Sequence, residues 1–195
     1  NGSTTGISAT YDSTNNKIVI AYTDTGNLEY GTAVVGTVSG TAISFGTAVV
    51  FNGAQTEEIK ATYDSTNEKI VIAYRDRGNS NYGTAIVGTV SGTAISFGTE
   101  VVFASVNAYP GSATYDSNAG KVVIAYGNAS SSYYGTAIVG TVSGTSISFG
   151  TAVVFESSDT YEISAGYDST NNKIVIAYKD PGNSGYGTAI VGTVS

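Results

Sequence analysis

The chain of 195 residues contains no cysteine, no histidine, no methionine and no tryptophan, and only 2 prolines. Without histidine or cysteine there is no ordinary general base near neutral pH, no thiolate nucleophile, no disulfide and no usual zinc or haem ligand set. A Ser/His/Asp or Cys/His enzyme is excluded, and no cofactor is expected. Basic residues are also scarce, with 8 Lys plus Arg against 15 Asp plus Glu and a net charge of −7. Such a chain repels phosphates and anionic leaflets, so neither nucleic acid nor membrane insertion is expected. No apolar run approaches the roughly 20 residues of a bilayer span, and residues 1–6 have neither the basic start nor the apolar stretch of a signal peptide.

What the chain does have is a repeat. The pair Tyr-Asp recurs at Tyr11, Tyr63, Tyr115 and Tyr167, each 52 residues after the last. Residues 7–51 and 59–103 differ at 8 of 45 positions. The units therefore run over about 7–58, 59–110, 111–162 and 163–195. The last stops where the counterpart of residues 42–51 would follow. Within a unit the runs 7–12, 17–24, 30–39 and 42–51 are rich in Val, Ile, Thr, Tyr and Phe and are separated by Asn, Gly, Ser and Asp. They predict four antiparallel strands joined by tight turns. Stretches such as Lys17-Ile-Val-Ile-Ala-Tyr22 are apolar on both alternating faces, so each sheet must be covered on both sides. The expected fold is all-β, a propeller of four four-stranded blades whose last blade lacks its fourth strand; the alternative is an open linear stack of the same sheets.

The segments Tyr11-Asp-Ser-Thr-Asn-Asn-Lys-Ile-Val-Ile-Ala-Tyr22 and Val35-Gly-Thr-Val-Ser-Gly-Thr-Ala-Ile-Ser-Phe-Gly-Thr47 resemble tandem propeller-like repeats of aquatic phage tail-fibre and large microbial surface proteins. The resemblance spans nearly the whole chain. It implies an extracellular or virion-surface location and a non-enzymatic role in adhesion, receptor engagement or fibre building. It brings no catalytic motif with it.

Differences between the units cluster. The links 52–58, 104–110 and 156–162 scarcely resemble one another, and the second-to-third connections 24–29, 76–81, 127–133 and 180–185 also drift. The first-to-second turn keeps Asp12, Asp64, Asp116 and Asp168, and the third-to-fourth turn keeps Ser-Gly. In a four-stranded meander the drifting segments emerge at one end, which makes that end the candidate contact face. Twelve of the 15 Tyr occupy three repeated positions, as at Tyr11, Tyr22 and Tyr30, and belong to blade packing; Tyr109, Tyr133 and Tyr161 do not. With Asn107, Asp159, Arg75 and Arg77 they form the candidate ligand-binding set, since an exposed ring can stack on a sugar or anchor a protein contact.

Other chemistry is less supported. Each Phe is repeated, at Phe45 and Phe51 and their equivalents, and reads as core. Asp12 reads as a turn residue, with a Lys17 ion pair or a calcium site through Asn15 and Asn16 as the alternatives. A glycosidase would need only paired carboxylates, but Glu57, Glu58, Glu156, Asp159 and Glu162 fall in links expected to be mobile. Asn1 and Asn128 begin Asn-x-Ser triplets, weak glycan acceptors. The expected function is a repeat module whose variable face makes multivalent contact with glycan or a cell-surface receptor. A purely structural filament subunit, self-associating through the unfinished C-terminal edge, and a propeller glycosidase are the alternatives.

Overall fold

The computed structural model describes residues 3–194, and the chain is all-β with antiparallel sheets that do not close into a barrel. The first unit is built from β1 (Thr4–Asp12), β2 (Lys17–Asp24), β3 (Tyr30–Ser39), β4 (Ala42–Phe45) and the first half of β5 (Val49–Asp64). The second continues through the rest of β5, β6 (Lys69–Asp76), β7 (Tyr82–Ser91), β8 (Ala94–Phe97) and the first half of β9 (Val101–Asp116). The third holds the rest of β9, β10 (Lys121–Asn128), β11 (Tyr134–Ser143), β12 (Ser146–Phe149) and β13 (Val153–Asp159). The fourth holds β14 (Tyr161–Asp168), β15 (Lys173–Asp180) and β16 (Tyr186–Gly192).

The turn after β1 forms because Asp12 satisfies the backbone that the ladder leaves open. Its Oδ1 accepts from the amides of Thr14 and Asn15, and its Oδ2 from the Asn15 side chain at 2.8 Å. Asp64 and Asp168 repeat this set, and Asp116 repeats its backbone part with Asn118 and Ala119. Among the described residues the ion pairs are those of Glu57 with Arg75 and Arg77, so Asp12 serves the turn and is not bridged to Lys17. No cluster of three metal-ligating side chains occurs among them either.

Two expectations need correction. The run 42–51 is not one strand: it breaks at residues 46–48, so that β4 pairs with the far end of β3 and β5 with its near end. The link 52–58 is not a loop but the middle of β5, whose first half pairs with β3 and whose second half pairs with β6. The two adjacent sheets supply ladder partners in succession, and in the bulge between them Asn52 Oδ1 accepts from the Ala54 amide at 3.1 Å, which satisfies a backbone group that the ladder leaves open. The crossing is marked by bulges at Tyr30/Gly31/Thr32 and at Glu57/Lys60, with Glu58 in the left-handed region at φ 52°. Glu57, Glu58 and Glu162 therefore stand on strands, as do Glu156 and Asp159.

Successive sheets stack face to face and bury three apolar layers. The first joins Val19, Ala21, Ala33 and Val35 of the first sheet to Ile59, Ile70, Ile72, Tyr74 and Ile86 of the second, with Phe51 between them. The second layer joins Val71, Ala73, Ala85 and Val87 to Val122, Ile124 and Tyr126. The third joins Val123 and Ala125 to Ile163, Ile174, Ile176 and Tyr178. Strand alternation explains this: Ile70, Ile72 and Tyr74 point back to one neighbour, Val71 and Ala73 forward to the next. Each interface repeats one aromatic contact, Tyr74 on Phe51, Tyr126 on Phe103 and Tyr178 on Phe155, with ring centroids 5.3, 5.4 and 5.3 Å apart.

The outer sheets lack a neighbour on one side. Ile7, the counterpart of fully buried Ile59, is 63 % exposed, and Val191, the counterpart of fully buried Val35, is 62 % exposed. Phe45, expected in the core, is likewise exposed because it lies on the uncovered side of the first sheet. The inner interfaces are tight enough to require glycine. A Cβ on Gly83 would lie 2.5 Å from the Phe103 ring, whereas one on Gly53 would meet nothing within 4 Å. Gly83→Ala should therefore destabilise the chain by about 1–3 kcal/mol in urea unfolding. Gly53→Ala should leave it within about 0.5 kcal/mol; equal effects would contradict the packing described.

Candidate functional site

The drifting segments do share one end of the stack, and repeated hydrogen bonds hold them there. After β6, Asp76 accepts from the amides of Gly78 and Asn79 and caps a single 3₁₀ turn; Asn128 and Asp180 stand in its place in the next units. Each connection then closes with two residues in the left-handed region: Leu28 and Glu29, Ser80 and Asn81, Ser132 and Tyr133, Ser184 and Gly185. The carbonyl of the second of these accepts from the neighbouring link: Glu29 from Thr56, Asn81 from Ala108 and Tyr133 from Thr160, at 2.9, 3.2 and 3.0 Å. The fold thus dictates where Tyr133 sits and holds it in a conformation that a bulky L-residue adopts only at a cost.

The consequence is a convergence that chain order does not reveal. Tyr109 on β9 and Tyr161 on β14 occupy the same repeat position in successive units, and the Tyr133 ring stands between them. Ring centroids are 5.4 Å apart for Tyr109 and Tyr133 and 5.6 Å apart for Tyr133 and Tyr161. The Arg75 guanidinium covers Tyr109 at 4.3 Å from the ring centroid, a cation–π geometry. Arg75 also donates to Asn107 Oδ1 at 3.0 Å and to Glu57 at 2.7 Å, and Arg77 takes the other Glu57 oxygen at 2.7 Å. At the far end Tyr161 donates to Asp159 at 3.3 Å. All seven residues of the candidate ligand-binding set thus lie in one row across three units.

Beneath the tyrosines a cleft of about 400 Å³ opens between β5, β9 and β14, bordered by Glu58, Lys60, Tyr109, Tyr133, Tyr161 and Glu162. The third unit makes the room. Gly111 stands where other units carry isoleucine, and Ile163 fills the space its side chain would take. Gly127 stands where Arg75 and Lys179 stand in the adjacent units, leaving space near the Tyr133 ring. The bulge that falls at Glu58 in the second unit moves to Pro110 and Gly111 in the third, because proline cannot adopt the positive φ.

Electrostatically the row is mixed. The adjoining Tyr109 hydroxyl raises the Tyr133 phenol above its ordinary value, with Arg75 opposing. Partial burial and then the Asp159 carboxylate raise that of Tyr161. The Tyr133 and Tyr161 phenols therefore stay neutral donors at physiological pH. Glu57 is bridged by two guanidiniums, which leaves neither of its oxygens free of a cationic partner.

Glu57 is the residue that sequence reasoning left among the link carboxylates. Its signal was present, since it shares the repeat position of Tyr109 and Tyr161. Lys60, Gly111 and Gly127 were missed because their contribution is spatial. The weak glycan acceptors stand apart: Asn128 uses its side-chain oxygen to cap Ser130 at 3.1 Å, and Asn1 lies outside the described residues. Among the described residues no helix is long and apolar enough to cross a membrane. No protein-family model and no curated relative matches the chain.

If Tyr109 sets the Tyr133 phenol, Tyr109→Phe should lower the Tyr133 pKa toward its ordinary value in an NMR-monitored titration. An unmoved value would mean that the two hydroxyls do not interact.

Proposed function

We propose that the chain is a non-enzymatic extracellular or virion-surface repeat module, of fibre or adhesin type, and that its variable end binds glycan. The observation that supports this is the convergence of the only three tyrosines outside the repeat pattern into one row, half-buried at Tyr109 and Tyr133 and exposed at Tyr161. Rings presented side by side above a cleft offer stacking surfaces for the apolar faces of successive sugar units. Hydroxyl groups of a sugar find donors in the phenols and in Lys60, and acceptors in Glu58 and Glu162 at the cleft rim. Arg75, fixed by Glu57 and Asn107, braces Tyr109 from behind, so the first ring is held in place before a ligand arrives.

The module is read as a run of propeller-like blades, with β1, the later part of β5 and of β9, and β14 as the blade strands that stack on one another. Seams of this kind allow several weak sites in one body, and linkage of weak sites raises overall avidity.

A glycan array probed with the full chain, followed by calorimetry on the best saccharide, tests the proposal. Tyr109→Ala and Tyr161→Ala should each weaken binding about tenfold or more, corresponding to roughly 1.4 kcal/mol, while Tyr109→Phe keeps the stacking face and retains binding. An array on which the chain is silent, or binding indifferent to both alanine variants, would refute the glycan reading. Tyr133→Asn separates binding from folding, because Asn81 occupies the same left-handed position in the second unit. Its unfolding free energy should stay within about 1 kcal/mol of the parent, with glycan affinity lost.

A further inference from the structure

From the two uncovered sheet faces we infer that this chain associates head to tail with a second copy of itself, the first sheet of one copy docking on the last sheet of another. The inference does not depend on glycan binding.

Its basis is that the two exposed faces are the two halves of an interface the chain already makes three times. On the uncovered side of the first sheet stand Ile7, Tyr11, Ile18, Ile20 and Tyr22, whose counterparts Ile59, Tyr63, Ile70, Ile72 and Tyr74 are buried against the sheet before them. On the uncovered side of the last sheet stand Val175, Ala177, Ala189 and Val191, whose counterparts Val19, Ala21, Ala33 and Val35 are all fully buried against the sheet after them. A surface apolar in this pattern is what the internal sheets hide from water.

The polar contacts also come in matching halves. Inside the chain Ser8 Oγ accepts from the Ala61 amide at 2.9 Å, and Ser112 Oγ accepts from the Ala165 amide at 3.0 Å. The last sheet presents Ser164 at this position, with the first sheet's Ala9 as the corresponding donor. Likewise Tyr63 donates to Thr14 at 2.7 Å and Tyr115 donates to Thr66 across their interfaces. The last sheet presents Thr170 there. Tyr11 of the first sheet has no threonine hydroxyl before it and donates to Asn16 of its own turn, as Tyr167 does to Asn172 where Asn118 replaces the threonine of the preceding sheet. Docking would hand Tyr11 to Thr170 and the Ala9 amide to Ser164.

One part of the internal contact is missing. The last sheet has no counterpart of Val49 and Phe51, so Tyr22 would dock without the ring that receives Tyr74, and the intermolecular contact is weaker than an internal one. Because the two faces differ, the association is heterologous: it extends into a filament, or closes into a ring if the rotation per copy permits.

Sedimentation velocity over a concentration series reads this directly, with the weight-average mass of the full chain rising above 19.8 kDa. Ile7→Asp blocks the first face and Val191→Asp the last. Both sites are exposed, and circular dichroism checks that the variants fold; Tyr11→Lys and Val175→Lys serve as a second pair. Each variant alone should remain monomeric. Mixed, they should form a 1:1 heterodimer and nothing larger, since the mixture holds one intact face of each kind. A parent chain monomeric at every concentration, a single variant that still self-associates, or a mixture that stays monomeric would overturn the inference.

Discussion

Each sheet in this protein is apolar on both faces, and that constraint governs everything else. A strand reading Lys69-Ile-Val-Ile-Ala-Tyr74 cannot lie half in water: Ile70, Ile72 and Tyr74 need a neighbour on one side, Val71 and Ala73 on the other. A β-sheet that buries both faces is stable only between other sheets, so the unit is not self-sufficient and the number of units becomes a matter of stability. The aromatic contact between Phe51 and Tyr74, repeated at the two later interfaces, fixes how one sheet sits on the next, and Gly83 leaves room where a Cβ would meet the Phe103 ring.

The same constraint explains why variation is confined to one end. Strand interiors are held by two neighbours, and the turns at Asp12 and Gly40 are held by their own hydrogen bonds or a positive φ. At the opposite end, the connection and the link are joined through one backbone hydrogen bond, such as that from Thr160 to Tyr133, which depends on no side chain. Side chains there are free to differ while that backbone hydrogen bond is kept. Glu57, Tyr109 and Tyr161 illustrate it: one position, three units, a salt-bridged carboxylate, a half-buried ring and an exposed one.

A two-sided sheet stack also has unavoidable ends. Ile7 and Val191 are exposed for the reason that Ile59 and Val35 are buried, and internal cohesion cannot be separated from the capacity to take on another like unit. The proposed glycan row lies at the variable end and the proposed docking contacts on the sheet faces, so the two would not compete for the same residues.

Much of the fold was legible in the amino-acid sequence, because strand periodicity and turn chemistry are local. The 52-residue period, the antiparallel meander, the Asp turns and the two-sided burial all follow from short stretches around Tyr11, Lys17 and Gly40. Tyr109, Tyr133 and Tyr161 could be singled out because a repeat carries its own internal comparison. The sequence could not show that residues 49–64 form one strand, since that depends on two different sheets offering hydrogen bonds to the two halves. Nor could it show that the three rings meet: Tyr133 reaches the others only because the fold places its backbone in a left-handed turn beside the crossing strand. Local preferences are written residue by residue, whereas a row of side chains drawn from three units exists only once the sheets have stacked.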